Sequence, residues 1–227
     1  MIEANNVDLV YGDGTRALKN VNLHIGAGEI VYITGHSGSG KTSLLKLLMG
    51  MEYPTKGHLM VMGQAMKKEE RHNIRKLRRN IGPVFQEFKL IRGRTAFENI
   101  VLGMRFLDFT PKEMEENSKR ALEKVGLIHK RDSLVDNLSW GEGQRIAIAR
   151  AIARRPKLIL ADEPTGNLDI DNALNIMDIL TSLRDESTTV IITTHATHLI
   201  KDKKEGIFIQ IERGNIELER REELGYE

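Results

Sequence analysis

The segment Gly35-His36-Ser37-Gly38-Ser39-Gly40-Lys41-Thr42 constrains this chain more than any other. It follows the spacing G-x-x-x-x-G-K-[ST] directly after an apolar run, Ile30 to Thr34, and just before Leu44 to Met49. The flanks predict a buried strand, a glycine-rich loop and a helix in succession. Backbone N–H donors can gather round a polyphosphate only where glycine leaves room and accepts positive φ, and a helix N-terminus adds a favourable field. On that chemistry Lys41 reaches the β- and γ-phosphates, and the Thr42 hydroxyl ligates Mg²⁺, an ion that prefers oxygen and keeps several waters. The bland alternative is an ordinary glycine turn.

A second apolar run, Leu158-Ile159-Leu160-Ala161, ends abruptly in Asp162 and Glu163. Adjacent acids at the carboxyl end of a strand suit metal and water chemistry. Asp162 holds the cation, directly or through water, and Glu163 polarises the water that attacks the γ-phosphate. Alone, the pair would be a solvated strand end; with a phosphate loop in the same chain it reads as catalytic. Between the two runs lies Leu138-Ser139-Trp140-Gly141-Glu142, continuing through Gly143-Gln144-Arg145 to Arg154. Ser139 and Glu142 have the spacing of a capping box and predict a well-capped helix.

Elsewhere, Val21, Leu23 and Ile25 alternate with Asn22 and His24, which predicts a half-buried strand closed by Gly26 and Gly28. From about Phe88 to Arg154 strand signals give way to helix starts. Thr110, Pro111 and Glu113 fit N-cap, N1 and N3, and Gly126 fits the stop after Val125. Strand patterns return at Leu158 to Ala161, Val190 to Thr193 and Ile207 to Ile211, with a helix near Ala173 to Leu183 and a hairpin turn at Arg213-Gly214-Asn215. The expected architecture is α/β: a phosphate-loop fold with a mostly parallel sheet, a small antiparallel β region and a helical subdomain.

With 227 residues, 40% of them hydrophobic, the chain can bury a sizeable core. Basic residues number 34 against 32 acidic, so no polyanion-binding surface spans the molecule and no nucleic acid partner is expected. Cysteine is absent, which removes disulfides and thiolate metal sites. No apolar run approaches the roughly 20 residues of a spanning helix, and MIEANNVDLV shows no export signal. The chain is therefore expected in the cytoplasm, touching a membrane only through a partner.

Tyr11, the loop at Gly35, Gln86 in VFQEF, Ser139, Asp162 with Glu163, Asp169 in GNLD and His195 in TTHAT resemble, in that order, the motifs of the ABC (ATP-binding cassette) family. The resemblance covers essentially the whole chain. It implies one ATP-binding domain over 1–227, with a catalytic core at 1–87 and 156–227 and a helical subdomain at 88–155. It also implies that Tyr11 stacks on adenine and that Gly35, His36, Ser37, Gly38, Ser39, Gly40, Lys41, Thr42 and Ser43 contact the nucleotide. Ser139, Gly141 and Glu142 would then act on the nucleotide of the opposite subunit, with Asp169 crossing the interface of a head-to-tail homodimer. Glu163, His195 and Gln86 form the implied catalytic set, and Thr42, Gln86 and Asp162 the implied Mg²⁺ ligands, for hydrolysis of ATP.

TGHSGSGKTSLLKLLMG, LRRNIGPVFQEFKLI and ADEPTGNLD are most similar to the family's cell-division branch. That branch implies a position at the inner face of the cell membrane, beside an FtsX-like integral membrane partner. ADEPTGNLD is shared with lipoprotein-release and macrolide-export ATPases, so an exporter subunit is the alternative. A soluble cassette acting on DNA or ribosomes is the alternative from another class.

Three positions depart from the family pattern: Trp140 where glycine is usual, Gly143 where this branch usually has glutamine, and Ala196 where an acid commonly follows the histidine. They imply slow or partner-dependent hydrolysis, and leave the Trp140 indole either near the partner's nucleotide or turned outward. Phe88, Leu90 and Ile91, directly after Gln86, are the expected contacts of a membrane partner. Lys67, Lys68, Arg71, Arg75, Lys76, Arg78 and Arg79, interleaved with Glu69 and Glu70, predict a basic helix that is either simply solvated or drawn to anionic lipid.

Overall fold

The computed structural model describes residues 1–221. In chain order it begins with β1 (Ile2–Val10), β2 (Arg16–Ile25), β3 (Ile30–Thr34), α1 (Lys41–Leu48), β4 (Lys56–Val61), β5 (Gln64–Ala65) and α2 (Arg71–Leu77). Next come β6 (Ile81–Val84), α3 (Ala96–Met104), α4 (Pro111–Lys124), α5 (Trp140–Ile152), β7 (Leu158–Asp162) and α6 (Ile170–Thr181). The chain closes with β8 (Thr189–Thr194), β9 (Gly206–Glu212) and β10 (Asn215–Arg221). These elements divide into two compact units, residues 1–78 with 184 onward, and residues 79–183. Among the described residues no helix is long and apolar enough to cross a membrane.

The first unit holds an antiparallel sheet in the order β2-β1-β4-β5. Its strands have one wet face, so burial alternates: Val21, Leu23 and Ile25 are buried while Asn22 and His24 are exposed. In a second layer β3 lies parallel to β8 on one side and to β9 on the other, and β10 returns antiparallel to β9. β3 and β8 are buried almost end to end, as strands between parallel neighbours are. The expected final hairpin is present, with Arg213 and Gly214 both at positive φ, 49° and 84°.

The basic stretch departs from expectation. It is broken into a 3₁₀ turn at Lys68–Glu70, the short α2 and a second turn at Arg78–Asn80. Arg78, though exposed, is tied down: its Nε donates to the Met49 carbonyl at 2.8 Å and its Nη2 to that of Gly50 at 2.6 Å. Helix ends leave carbonyls without intrahelical donors, and a guanidinium just past the end of α1 supplies them.

The second unit joins the parallel pair β6 and β7 to α3, α4 and α5, whose core includes Ile100, Met104, Leu122, Ile146 and Ile148. The expected start of α4 is realised in full. Thr110 Oγ1 accepts from the Glu113 N–H at 3.3 Å, Glu113 Oε2 accepts from the Thr110 N–H at 2.8 Å, and Pro111 occupies the first turn. Gly126, at φ 71°, ends it. α3 has the same box between Thr95 and Glu98, a T-x-x-E spacing not singled out above. α6 starts at Ile170 rather than near Ala173, because Asp169 Oδ1 takes the Asn172 N–H at 2.8 Å and caps the helix earlier. Replacing the α4 cap, Thr110→Ala, is expected to lower stability by about 1 kcal/mol, seen as a lower urea midpoint at unchanged slope. An unshifted midpoint would show that the box does not hold the helix.

Candidate nucleotide site

In the first unit β3 runs into the glycine loop at Gly35, where φ is 149° and a Cβ would collide with the Ile211 carbonyl and Ser39 Oγ. At Gly40, the N-cap of α1, φ is 119° and a Cβ would lie 2.6 Å from the Ala17 carbonyl oxygen. Only glycine fits these two positions. Between them Gly38 faces open space, with nothing within 4 Å of a Cβ. α1 has no side-chain cap and no acid of its own in its first turn, so the helix itself supplies nothing to answer its N-terminal field. Ser39 Oγ is buried in the loop without a hydrogen-bond partner. A cradle with an orphaned hydroxyl and an uncapped helix end fits a polyphosphate.

Lys41 lies within the loop rather than out in solvent. It is only 6% exposed, and its Nζ donates to the carbonyls of Gly35 at 2.7 Å and His36 at 3.1 Å, tying the loop to the helix. Tyr11, at the end of β1, shares a hydrogen bond with Ser43 Oγ at 3.0 Å, which places its ring beside the first turn of α1. His195 follows β8, and because Thr34 and Thr194 are register partners, Gly35 and His195 leave the sheet side by side. The first unit thus brings together Tyr11, Gly35 through Ser43, and His195.

In the second unit Val84 pairs with Ala161, so the Gln86 segment and the Asp162-Glu163 pair leave β6 and β7 at the same end. Glu163 has φ 47°, a left-handed conformation uncommon for a side chain of its size and one that concentrates at functional sites. The following turn is closed by the Gly166 N–H donating to the Glu163 carbonyl at 3.1 Å. Gln86 lies against this turn: a Cβ on Gly166 would be 2.9 Å from Gln86 Nε2.

Ser139 caps α5, accepting the Glu142 N–H on Oγ at 3.2 Å, while Glu142 Oε2 takes the Ser139 N–H at 2.8 Å. The Ser139 N–H, with further help from Lys130, holds the Glu142 carboxyl below its ordinary value against the opposing effect of burial. Asp169 bonds both the backbone and the side chain of Asn172, and the backbone N–H is the larger reason its carboxyl also lies low. A Cβ on Gly141 would come 2.8 Å from Asn172 Oδ1, so the starts of α5 and α6 are neighbours. The second unit thus gathers Gln86, Ser139, Gly141, Glu142, Asp162, Glu163 and Asp169. Two participants were not anticipated: Gly166, and Arg150, whose guanidinium grips the backbone just beyond Gln86. Gly166 opens the GNLD run, whereas no sequence spacing marks Arg150.

A buried strand feeding a glycine-rich loop and helix, with a strand-end acid pair and a capped serine helix, defines a phosphate-loop nucleotide-binding cassette. The profile of the ABC transporter family matches residues 18–166, and the chain belongs to that family, as an ATP-binding and ATP-hydrolysing cassette. It is 40% identical over 204 residues to the Cell division ATP-binding protein FtsE of Haemophilus influenzae, covering 89% of this chain and 94% of that one. It is 38% identical over 228 residues to the protein of the same name from Streptococcus pneumoniae serotype 2, covering 100% and 99%. Among solved structures it superposes with a TM-score of 0.86 and 34% identity, over 100% of both chains, on the ATP-binding cassette MJ0796, described as a dimer in a post-hydrolysis state bound to ADP and Pi. The expected fold class is borne out.

Proposed function

We propose that the chain is the ATPase subunit of a cell-division complex like that of FtsE, working at the inner face of the cell membrane beside an FtsX-like integral membrane partner. The observation that carries this reading is near-full-length identity to two proteins bearing the FtsE name. The chain acts as a single cassette over 1–227, with 88–155 as its helical subdomain and the remainder as its catalytic core. Two copies close head to tail on two ATP molecules, the dimeric MJ0796 cassette lending support. Closure and hydrolysis shift the population between open and closed forms, and the membrane partner reads the difference.

In each composite site Tyr11 stacks on adenine, the loop amides and Lys41 hold the phosphates, and Ser139 with the first turn of α5 approaches the γ-phosphate from the other subunit. Glu163 takes a proton from the attacking water, His195 contacts the γ-phosphate and Gln86 senses it. A bound Mg²⁺ would neutralise charge on the β- and γ-oxygens. Thr42 and Asp162 would hold it, with Gln86 near, an all-oxygen donor set that suits this ion. Among the described residues no group of three or more His, Asp or Glu side chains is placed to cage a metal, so phosphates and water would supply most of its ligands.

Purification of tagged chain from solubilised membranes tests the assignment: an integral membrane protein should co-purify, and its depletion should block division. A partner that exports a solute, with division intact, would overturn it. Lys41→Ala should weaken ATP binding roughly 10- to 100-fold, the worth of a charge-assisted bond to phosphate, as measured by calorimetric titration. Unchanged affinity would place the triphosphate elsewhere.

A further inference from the structure

Two departures from the family pattern meet on one side chain. Trp140 and Gly143 are three apart on α5 and so share a face. The Trp140 ring meets Phe88 edge-on, with centroids 4.4 Å apart and planes at 60°. A Cβ on Gly143 would come 2.9 Å from two carbons of the same Phe88 ring. Gly143 makes room for that ring and Trp140 covers it. The indole Nε1 also donates to the Gly166 carbonyl at 3.4 Å, on the turn that Gln86 lies against.

The segment after Gln86 is therefore held to α5 twice. Arg150 grips its backbone, donating from Nη2 to the Phe88 carbonyl and from Nη1 to that of Lys89, each at 2.7 Å. These charged bonds to backbone are the firm attachment. The aromatic contact is the weak one: Trp140 is 46% exposed and its indole hydrogen bond is long. Ser139 directly precedes Trp140, so an indole fixed on its own chain also fixes where the Ser139 hydroxyl and the first-turn N–H groups point.

We propose that Phe88, Trp140 and Gly166 form a releasable latch that restrains the serine end of α5 in the resting chain and keeps basal ATP turnover low. The proposal deepens the ATPase reading and rests on it for the turnover readout. Displacement of Phe88, by whatever seats on the segment after Gln86, frees Trp140 and lets α5 offer Ser139 to the opposite nucleotide. Trp140 is a positioning residue here.

Trp140 is the chain's single tryptophan, so its emission reports the latch without a label. In the nucleotide-free full-length protein, Phe88→Ala should move the emission maximum to longer wavelength and raise acrylamide quenching. Emission unchanged by Phe88→Ala overturns the latch whatever the enzyme does. In steady-state assays Phe88→Ala, Gly143→Gln and Trp140→Gly should each raise kcat about two- to tenfold with KM for ATP unchanged, the population shift one aromatic contact can hold. The Phe88→Ala/Trp140→Gly double variant should rise no further than either single one, because both break one contact. Trp140→Phe, which keeps a ring on Phe88 but loses the N–H, should fall between wild type and Trp140→Gly. Equal or lower kcat in folded single variants, or additive effects in the double one, overturns the restraint. A wild-type chain with no turnover at all, alongside the emission shift, would instead remove the ATPase reading and leave the contact standing. Gly143→Gln guards against a folding artefact, since glutamine suits a helix better than glycine does.

Discussion

Glu163→Gln is expected to bind ATP as the unsubstituted chain does, within about twofold, and to turn it over about 10² to 10⁴ times more slowly, the usual contribution of a positioned general base. The amide keeps the size of the carboxylate and the left-handed backbone at φ 47°, so the turn that follows β7 need not move. It loses only the ability to take a proton from water. Binding then proceeds to the closed dimer, and the step that would open it is removed. With ATP the variant should elute as a dimer in size-exclusion chromatography, and with ADP as the unsubstituted chain does. Turnover within a few-fold of the unsubstituted chain would exclude Glu163 as the base; a slow enzyme with no dimer would keep the chemistry and overturn closure as its consequence.

Much of this arrangement was legible because it is local. Capping boxes are spacings of three, so Thr110 with Glu113 and Ser139 with Glu142 could be read directly, and each pair makes both reciprocal bonds. Gly35 and Gly40 stand where a Cβ would strike Ile211 or Ala17, which the loop pattern encodes without showing the obstacle. What escaped the sequence is pairing across distance. Nothing near Arg78 in the chain indicates Met49 and Gly50, nor anything near Arg150 the carbonyls of Phe88 and Lys89. Long guanidinium side chains find orphaned carbonyls wherever packing brings them, and that is decided by the tertiary fold. Phe88 is the plainest case. No spacing in the chain indicates that its ring lies half-buried between Gly143 and Trp140.

The sharing of sites between subunits yields a large expected effect. Lys41→Ala disables the phosphate loop of the subunit that carries it, and Ser139→Arg disables the α5 end that the other subunit's nucleotide needs. Either homodimer therefore has two defective sites and should be nearly inactive. In the mixed dimer both substitutions fall on one composite site, and the second site has an intact Lys41 and an intact Ser139. Equal mixing gives about half mixed dimers, each with one good site of two, so activity should return to roughly a quarter of the unsubstituted level if one site can fire alone. Ser139→Arg also removes the α5 cap, worth about 1 kcal/mol, so its fold must be checked by circular dichroism before mixing. Subunit exchange is followed with differently labelled chains. No recovery despite exchange leaves two explanations, sites that are not shared and sites that must fire together. A covalently linked dimer with both substitutions in one copy and none in the other separates them: unshared sites leave the unsubstituted copy active, whereas shared sites are each broken once. Activity of that dimer overturns the shared site; its silence, together with silence of the linked pair that carries one substitution in each copy, when the linked unsubstituted pair is active, means obligatory coupling.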